Sequence, residues 1–276
     1  MRRFVFQKGE FVLIAGVSTA CLYPKPLEES LYDLAVNGVS CVEIFINTHS
    51  ELKKSFADST AQILKRFDVK CVSVHPFTCE LETLMFFSDY ERRMNDVLEY
   101  YKLYFSFMNT VGADIFVFHG GKTGSGKNRD FYCERYSRLY RLGKEFGIKV
   151  AVENVSRCQS ASLSFIRDIS NMLGNEFAFV LDTKQAVRAG ENPFSFLEAA
   201  GKNTVHVHIS DSGEFGDCLP IGKGRFRFRQ FFEKLNSFNP QCSVVLELYR
   251  SGFGGISELI SGYNILEKMI EPYSKE

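Results

Sequence analysis

Six side chains that can bind a metal ion or carry a proton stand at the ends of short segments rich in Val, Ile and Phe. They are His75, His119, Glu153, Asp182, His208 and Glu247. Imidazole and carboxylate groups together suit Zn, Mn, Fe or Co, whereas oxygen ligands alone would suit Mg or Ca. The segment at 204–211 is typical, because its alternating apolar residues predict a strand that places His208 and Asp211 where it meets a loop.

Each of these residues, taken singly, has an ordinary structural explanation as a hydrogen-bonded histidine or an ion-paired carboxylate. Taken together they favour a metal site, because burying three carboxylates in a protein interior without a cation is costly. His206 is the exception. By strand alternation it points away from its neighbours Val205 and Val207, and a structural role is predicted for it.

The rest of the sequence supplies elements that would bring these residues together. Strands are predicted at 11–17, 41–46, 70–75, 114–119, 149–153, 178–182, 205–209 and 243–248. Helices are predicted between and after them, at 27–36, 51–67, 90–111, 129–146, 162–173, 193–200, 226–235 and 256–270.

Strand–helix alternation repeated eight times in 276 residues predicts an α/β fold, a (β/α)8 TIM barrel formed as a single domain over 1–276. The alternative is an open doubly wound sheet, which is disfavoured because no Gly-rich dinucleotide fingerprint follows the first strand. In a barrel the carboxyl ends of all strands converge on one face, where active sites lie. The six residues would therefore meet there.

Composition narrows the range of functions. The chain carries 33 basic and 33 acidic residues, and this balance argues against a nucleic-acid-binding protein. The eight cysteines are spread along the chain without a C-x-x-C pair, as expected of reduced thiols in a cytoplasmic protein. The N-terminal segment is not apolar enough for a signal peptide, and no run approaches the roughly 20 apolar residues of a membrane span.

Seven short motifs follow one another along nearly the whole chain: VSVHPF, FVFHGG, VAVENVS, FVLDTKQ, HVHISDS, LPIGKG and VVLELYR. In their order and spacing the chain resembles the xylose isomerase-like barrel superfamily. That superfamily holds endonuclease IV and many sugar isomerases and epimerases, such as the D-tagatose 3-epimerases. The resemblance implies a TIM barrel that binds one or two divalent ions per chain, of Mn, Zn, Co or Fe.

The resemblance also assigns roles to the strand-end residues. In the epimerases one divalent ion is held by Glu, Asp, His and Glu, and the matching positions are Glu153, Asp182, His208 and Glu247. In endonuclease IV two further histidines help to hold a second ion, and their matches are His75 and His119. Glu153 and Glu247 would be the catalytic pair, one removing a proton next to a ketose carbonyl and the other returning one from the opposite face.

The substrate side of the site matches these families less well. Gln185 replaces the histidine of the D-x-x-H motif and Leu219 replaces the histidine of an Asp-x-His motif, which argues against a third ion and against cleavage of the endonuclease IV type. Glu214 stands where the epimerases carry Arg. The candidate substrate-binding residues are Lys184, Gln185, Asp217 and Arg250.

Two loops bear on whether the substrate carries a phosphate. The segment GKTGSGKN at 121–128 nearly matches a phosphate-binding loop, but Asn128 replaces the Ser or Thr that binds Mg²⁺. The segment SGFGG at 251–255 opens a helix after the last strand, where barrels often bind phosphate through backbone N–H groups. A neutral sugar and a phosphorylated one both remain open.

Three functions follow. A divalent-metal-dependent sugar or sugar-phosphate isomerase or epimerase is favoured. The alternatives are an endonuclease IV-like or other dinuclear-metal phosphoesterase, and a barrel that keeps the ligands without catalysing a reaction. The expected partner is a small sugar or sugar phosphate, with neither nucleic acid nor membrane, and assembly into a homo-oligomer is left open.

Overall fold

The computed structural model of the protein describes residues 13–273, in which eight parallel strands close into a barrel. Around the barrel the order is β1, β10, β7, β6, β5, β4, β3, β2. This closed sheet confirms the predicted (β/α)8 barrel and excludes the open doubly wound alternative. In chain order the strands are β1 (Ile14–Ser18), β2 (Cys41–Phe45), β3 (Lys70–His75), β4 (Ile115–Phe118), β5 (Lys149–Glu153), β6 (Phe179–Asp182), β7 (Thr204–Ile209), β8 (Asp211–Gly213), β9 (Gly216–Leu219) and β10 (Ser243–Leu246).

Helices surround the barrel and bury its outward-facing residues. Aromatic rings fill much of this layer, for example between the fourth helix and β4, where the Tyr104 and Phe105 rings lie 5.4 and 5.6 Å from that of Phe116. No helix among residues 13–273 is long and apolar enough to cross a membrane. The helices are α1 (Leu27–Val36), α2 (Lys54–Phe67), α3 (Cys79–Met85), α4 (Glu91–Val111), α5 (Arg129–Glu145), α6 (Leu163–Leu173), α7 (Thr183–Arg188), α8 (Pro193–Ala200), α9 (Phe228–Phe238) and α10 (Ile256–Ile270).

The structure adds short elements that the sequence patterns did not predict, namely α3, α7 and the β8–β9 hairpin. They span three to seven residues each, too few for a hydrophobic period to stand out. The helix predicted at 51–67 begins at Lys54 because a 3-10 turn, His49–Leu52, precedes it. The part of the first predicted strand at 11–12 lies outside the described residues.

Strand alternation sets which side chains enter the barrel. On β5 and β6, Ala151 and Val180 lie in a buried apolar cluster, and Glu153 and Asp182 follow two residues later at the strand ends. Gly16 allows β1 to approach β2, since a Cβ there would lie 2.9 Å from the carbonyl oxygen of Cys41. On the side of β4 to β7 the interior is therefore apolar below the strand ends, and ionisable groups gather at the carboxyl ends of the strands.

Candidate functional site

All six strand-end residues meet at the carboxyl end of the barrel, in two clusters that share Glu153. The first cluster, called here the quartet, comprises Glu153, Asp182, His208 and Glu247, whose ligand atoms all lie within 4.8 Å of one another. The second, called here the histidine pair, comprises His75 and His119 together with Glu153, within the same distance.

The quartet is centred on one nitrogen of His208. Its Nδ1 lies 3.1 Å from Glu153 Oε1, 3.7 Å from Glu247 Oε2 and 3.9 Å from Asp182 Oδ2. Parallel pairing brings these groups to one level, because Asp182 is the register partner of His208 and Val245, two residues before Glu247, is its partner on the other side.

The two histidines of the histidine pair face Glu153 Oε2, the oxygen of the shared glutamate that does not face His208. Glu153 Oε2 is 3.5 Å from His119 Nε2 and 3.8 Å from His75 Nε2. The two imidazole Nε2 atoms are themselves 3.3 Å apart. Glu153 therefore presents one oxygen to each cluster, as a bridging carboxylate does.

The donors of the quartet fit a divalent ion. Asp182 Oδ2 is buried and accepts no hydrogen bond of good geometry, although the Lys184 ammonium lies 3.2 Å away, while Asp182 Oδ1 accepts a hydrogen bond from the backbone N–H of Gln185. Burial raises the pKa of Asp182 to about 7, a penalty that a bound cation would relieve. Three carboxylates and one imidazole suit Zn, Mn, Fe or Co. The quartet residues would hold the first ion, and His75, His119 and Glu153 a second.

Glu43 is the site residue that sequence reasoning missed. It is fully buried on β2, and its Oε2 lies 3.0 Å from His208 Nε2 and 2.8 Å from the Ser73 hydroxyl, which donates to it. A carboxylate on the far nitrogen of a metal-binding histidine fixes its tautomer and ring orientation. Here it would leave Nδ1 free to bind the ion. The available signal was a charged residue between Val42 and Ile44 in an apolar strand.

His206, for which a structural role is predicted, lies in the barrel interior next to Glu43 and His208. His206 points into the barrel on the side of His208, its Nε2 lies 3.1 Å from Glu43 Oε2, and its Nδ1 lies 2.6 Å from the Ser243 hydroxyl. Ser243, His206, Glu43 and His208 thus form a polar column through the barrel interior.

A second buried glutamate holds the loop that follows β4. Glu82 on α3 accepts hydrogen bonds from the backbone N–H groups of His119 and Gly120, both at 2.9 Å, and from the Tyr101 hydroxyl at 3.0 Å. This residue positions His119 through its backbone. Sequence reasoning missed it because α3 itself was not predicted.

The four candidate substrate-binding residues separate into two groups. Lys184 joins the quartet, with its Nζ 2.6 Å from Glu247 Oε2, and Gln185 lies beside it, accepting a hydrogen bond from the Ser156 N–H at 3.0 Å. Asp217, on β9, is ion-paired with Arg188. Arg250 donates to the Phe253 carbonyl oxygen at 3.0 Å, and so both side chains are engaged within the loops rather than at the quartet.

Asp211 organises a loop instead of joining the site. Its carboxylate accepts hydrogen bonds from four backbone N–H groups, at 2.8 to 2.9 Å. The donors belong to Ser212, Gly222, Gly224 and Phe226.

The two loops considered for phosphate binding are also engaged. Asn128 caps α5 by accepting a hydrogen bond from the Phe131 N–H at 2.9 Å, which accounts for Asn at this position. Lys127 is ion-paired with Asp89. In the last loop the Gly254 N–H donates to the Glu258 carboxylate at 2.7 Å. These contacts favour structural roles for both loops.

A pocket of about 230 Å³ opens beside the quartet. Lys184 and Glu247 form its polar wall, and the aromatic side chains of Tyr23, Phe45 and Tyr249 line it. Of the four quartet side chains, that of Glu247 is the most exposed, at 11%. A small molecule in this pocket would therefore meet Glu247 before the other ligands.

Comparison with known proteins agrees with this architecture. A family model described as a xylose isomerase-like TIM barrel matches residues 31–268. An uncharacterized protein of Methanocaldococcus jannaschii is 26% identical over 200 residues, covering 69% of this chain and 76% of its own. The structure of a D-tagatose 3-epimerase-like protein has a TM-score of 0.77 at 20% identity, over 95% of this chain and 98% of its own. That of the IOLI protein with a bound zinc atom has a TM-score of 0.76 at 18% identity, over 96% and 100% of the two chains.

Proposed function

Because the chain belongs to the xylose isomerase-like TIM barrel family, we propose that it is a divalent-metal-dependent isomerase or epimerase of a sugar or sugar phosphate. The observation that carries this proposal is the quartet, in which two glutamates from β5 and β10 flank one imidazole nitrogen. The zinc of the IOLI protein and the epimerase-like neighbour support the same class of chemistry.

Glu247 is ionised and stands at the pocket. Burial opposes ionisation of Glu247, but the Lys184 ammonium and His208 hold the pKa of Glu247 at about 2. Glu247 is therefore a carboxylate that can accept a proton from a carbon next to a carbonyl in the adjoining pocket, and it would be a stronger base once the Lys184 ammonium moved away from it. A bound divalent ion would stabilise the negative charge that develops on the substrate oxygens.

The stereochemical result depends on where the proton returns. Glu153 ends β5 and Glu247 directly follows β10, two strands separated in the barrel by β6 and β7, and so the glutamates reach the site from two sides. Return of a proton by the second glutamate to the opposite face of the enediolate gives the epimer. Return to the neighbouring carbon gives the aldose–ketose isomer.

The test incubates the Mn²⁺- or Zn²⁺-loaded protein with a panel of ketoses in deuterated water. NMR measures the uptake of deuterium by each ketose. We expect exchange at the carbon next to the carbonyl, and a loss of about 100- to 10,000-fold in Glu247→Gln, because the general base is removed. Glu99→Gln, which changes an exposed glutamate on α4, is the matched control. Near-normal exchange in Glu247→Gln would contradict this role.

A second candidate is a dinuclear phosphoesterase, which the histidine pair favours because it would hold a second ion beside the first. Gln185 counts against the endonuclease IV type, since its side chain oxygen accepts a hydrogen bond from the Ser156 N–H. Hydrolysis of an aryl phosphate ester or of an abasic-site duplex, without deuterium uptake by any ketose, would favour this alternative.

A further inference from the structure

Lys184 is a buried lysine at the first turn of α7, directly after β6. Its side chain is only 5% exposed. The ammonium Nζ lies 2.6 Å from Glu247 Oε2 and 3.2 Å from Asp182 Oδ2, and 4.9 Å from the centre of the Tyr249 ring. A lysine is almost never this deeply buried unless it is paired, and here its partners are two members of the quartet.

The two oxygens that Lys184 contacts also face the His208 nitrogen at the centre of the quartet. Asp182 Oδ2 and Glu247 Oε2 are the carboxylate atoms that lie 3.9 and 3.7 Å from His208 Nδ1. The other oxygen of Asp182 is committed to the N–H of Gln185. A divalent ion held by the quartet would therefore compete with the ammonium for these carboxylates.

We propose that Lys184 is a built-in counter-cation that competes with the divalent ion for Asp182 and Glu247 and thereby sets the metal affinity of the quartet. The inference rests on the metal dependence proposed above. Two cations that share ligands in a buried site repel each other strongly, because the protein interior screens their charges far less than water does. Removing the lysine charge should therefore tighten metal binding.

The surroundings of Lys184 offer its ammonium an alternative position, between the Tyr249 ring and the pocket. The Tyr249 ring already lies beneath it, and the pocket of about 230 Å³ begins at the same point. An aromatic face stabilises an ammonium by a cation–π interaction, and the long flexible stem of lysine permits the change of position. Displaced from Asp182 and Glu247, the ammonium would face the pocket and favour a substrate with an anionic or strongly polar oxygen there.

The experiment measures Mn²⁺ and Zn²⁺ affinity of chelator-treated protein by competition with a fluorescent chelator, at about pH 8 where carboxylates are ordinarily ionised. Lys184→Met is expected to bind each ion about tenfold or more tightly than the wild type, because a charge that repels the ion is gone. Lys184→Gln is the second variant, should Met impair folding. Lys234→Met is the matched control, since Lys234 is ion-paired with Glu198 on the outer helices.

Thermal unfolding supplies a readout that is independent of activity. Lys184→Met should unfold at a lower temperature than the wild type without added metal, because its carboxylates lose their cation, and should gain more from saturating Zn²⁺.

The outcomes separate this inference from the function on which it rests. Unchanged or weaker metal affinity in both Lys184 variants, with a wild type that binds metal, would overturn the inference and leave metal dependence standing. Metal binding by the variants but not by the wild type would support the competition between the two cations and overturn metal dependence of the wild-type protein. Binding by none of the proteins would overturn metal dependence and the inference together.

Discussion

The two clusters that share Glu153 differ in how firmly their histidines are held. In the quartet, the far nitrogen of His208 meets the buried Glu43 carboxylate at 3.0 Å. In the histidine pair, the far nitrogen of His75 meets only the neutral Pro76 carbonyl oxygen, at 3.2 Å, and that of His119 has no hydrogen bond of good geometry and lies 3.5 Å from Glu82 Oε1. Outer partners that orient a ligand raise its metal affinity. We therefore expect the quartet to bind its ion more tightly than the histidine pair.

The largest expected effect comes from the residue common to both clusters. Glu153→Gln should remove the bridging carboxylate and lower metal affinity at both clusters by more than the about 100-fold seen when an outer partner is lost. Elemental analysis should then find less than one ion per chain after dialysis. A variant that retains two ions would show that the clusters do not share this ligand.

A smaller effect on metal affinity is expected from Glu43, the buried carboxylate that contacts the far nitrogen of His208. Glu43→Gln keeps the side-chain volume but removes the charge that orients His208, and it should weaken the tighter metal site about 10- to 100-fold. Isothermal titration with Zn²⁺ measures the change. Ser73→Ala, which removes the other hydrogen bond to the same oxygen, is the control and should have little effect. Equal losses in the two variants would point to a general disturbance of the interior.

The smallest effect on proton transfer is expected from the histidine pair. The His75→Ala/His119→Ala double variant should lose only the weaker ion and keep deuterium exchange within about tenfold of wild type, because the quartet supplies the charge stabilisation. Metal content and exchange are measured on the same sample. Loss of all exchange would make the second ion part of the reaction and would favour the dinuclear chemistry.

The barrel could be predicted from the sequence, and so could the meeting of the strand-end residues at its mouth, because both follow from strand alternation. The grouping of four of them as ligands of one ion came from the resemblance to the epimerases and stays a prediction. A strand that ends in His or Asp at an inward position places that group at the barrel mouth, as for Asp182 and His208. Glu43 was missed because it lies in the middle of a strand, where a charge looks like an isolated exception. The substrate-binding roles of Asp217 and Arg250 stay predictions. In the structure these side chains contact Arg188 and the Phe253 carbonyl oxygen, tertiary partners that no sequence period reveals.

The polar column from Ser243 to His208 lowers the folding stability of this barrel relative to one with an apolar interior. Buried imidazole and carboxylate groups occupy interior positions that Val, Ile or Leu usually fill in such barrels. Well-packed apolar residues in place of such groups are often neutral or stabilising. Substitutions deep in the barrel, far from any substrate, can thus raise the temperature of unfolding while disabling the protein, and selection for heat resistance alone would tend to erase the column.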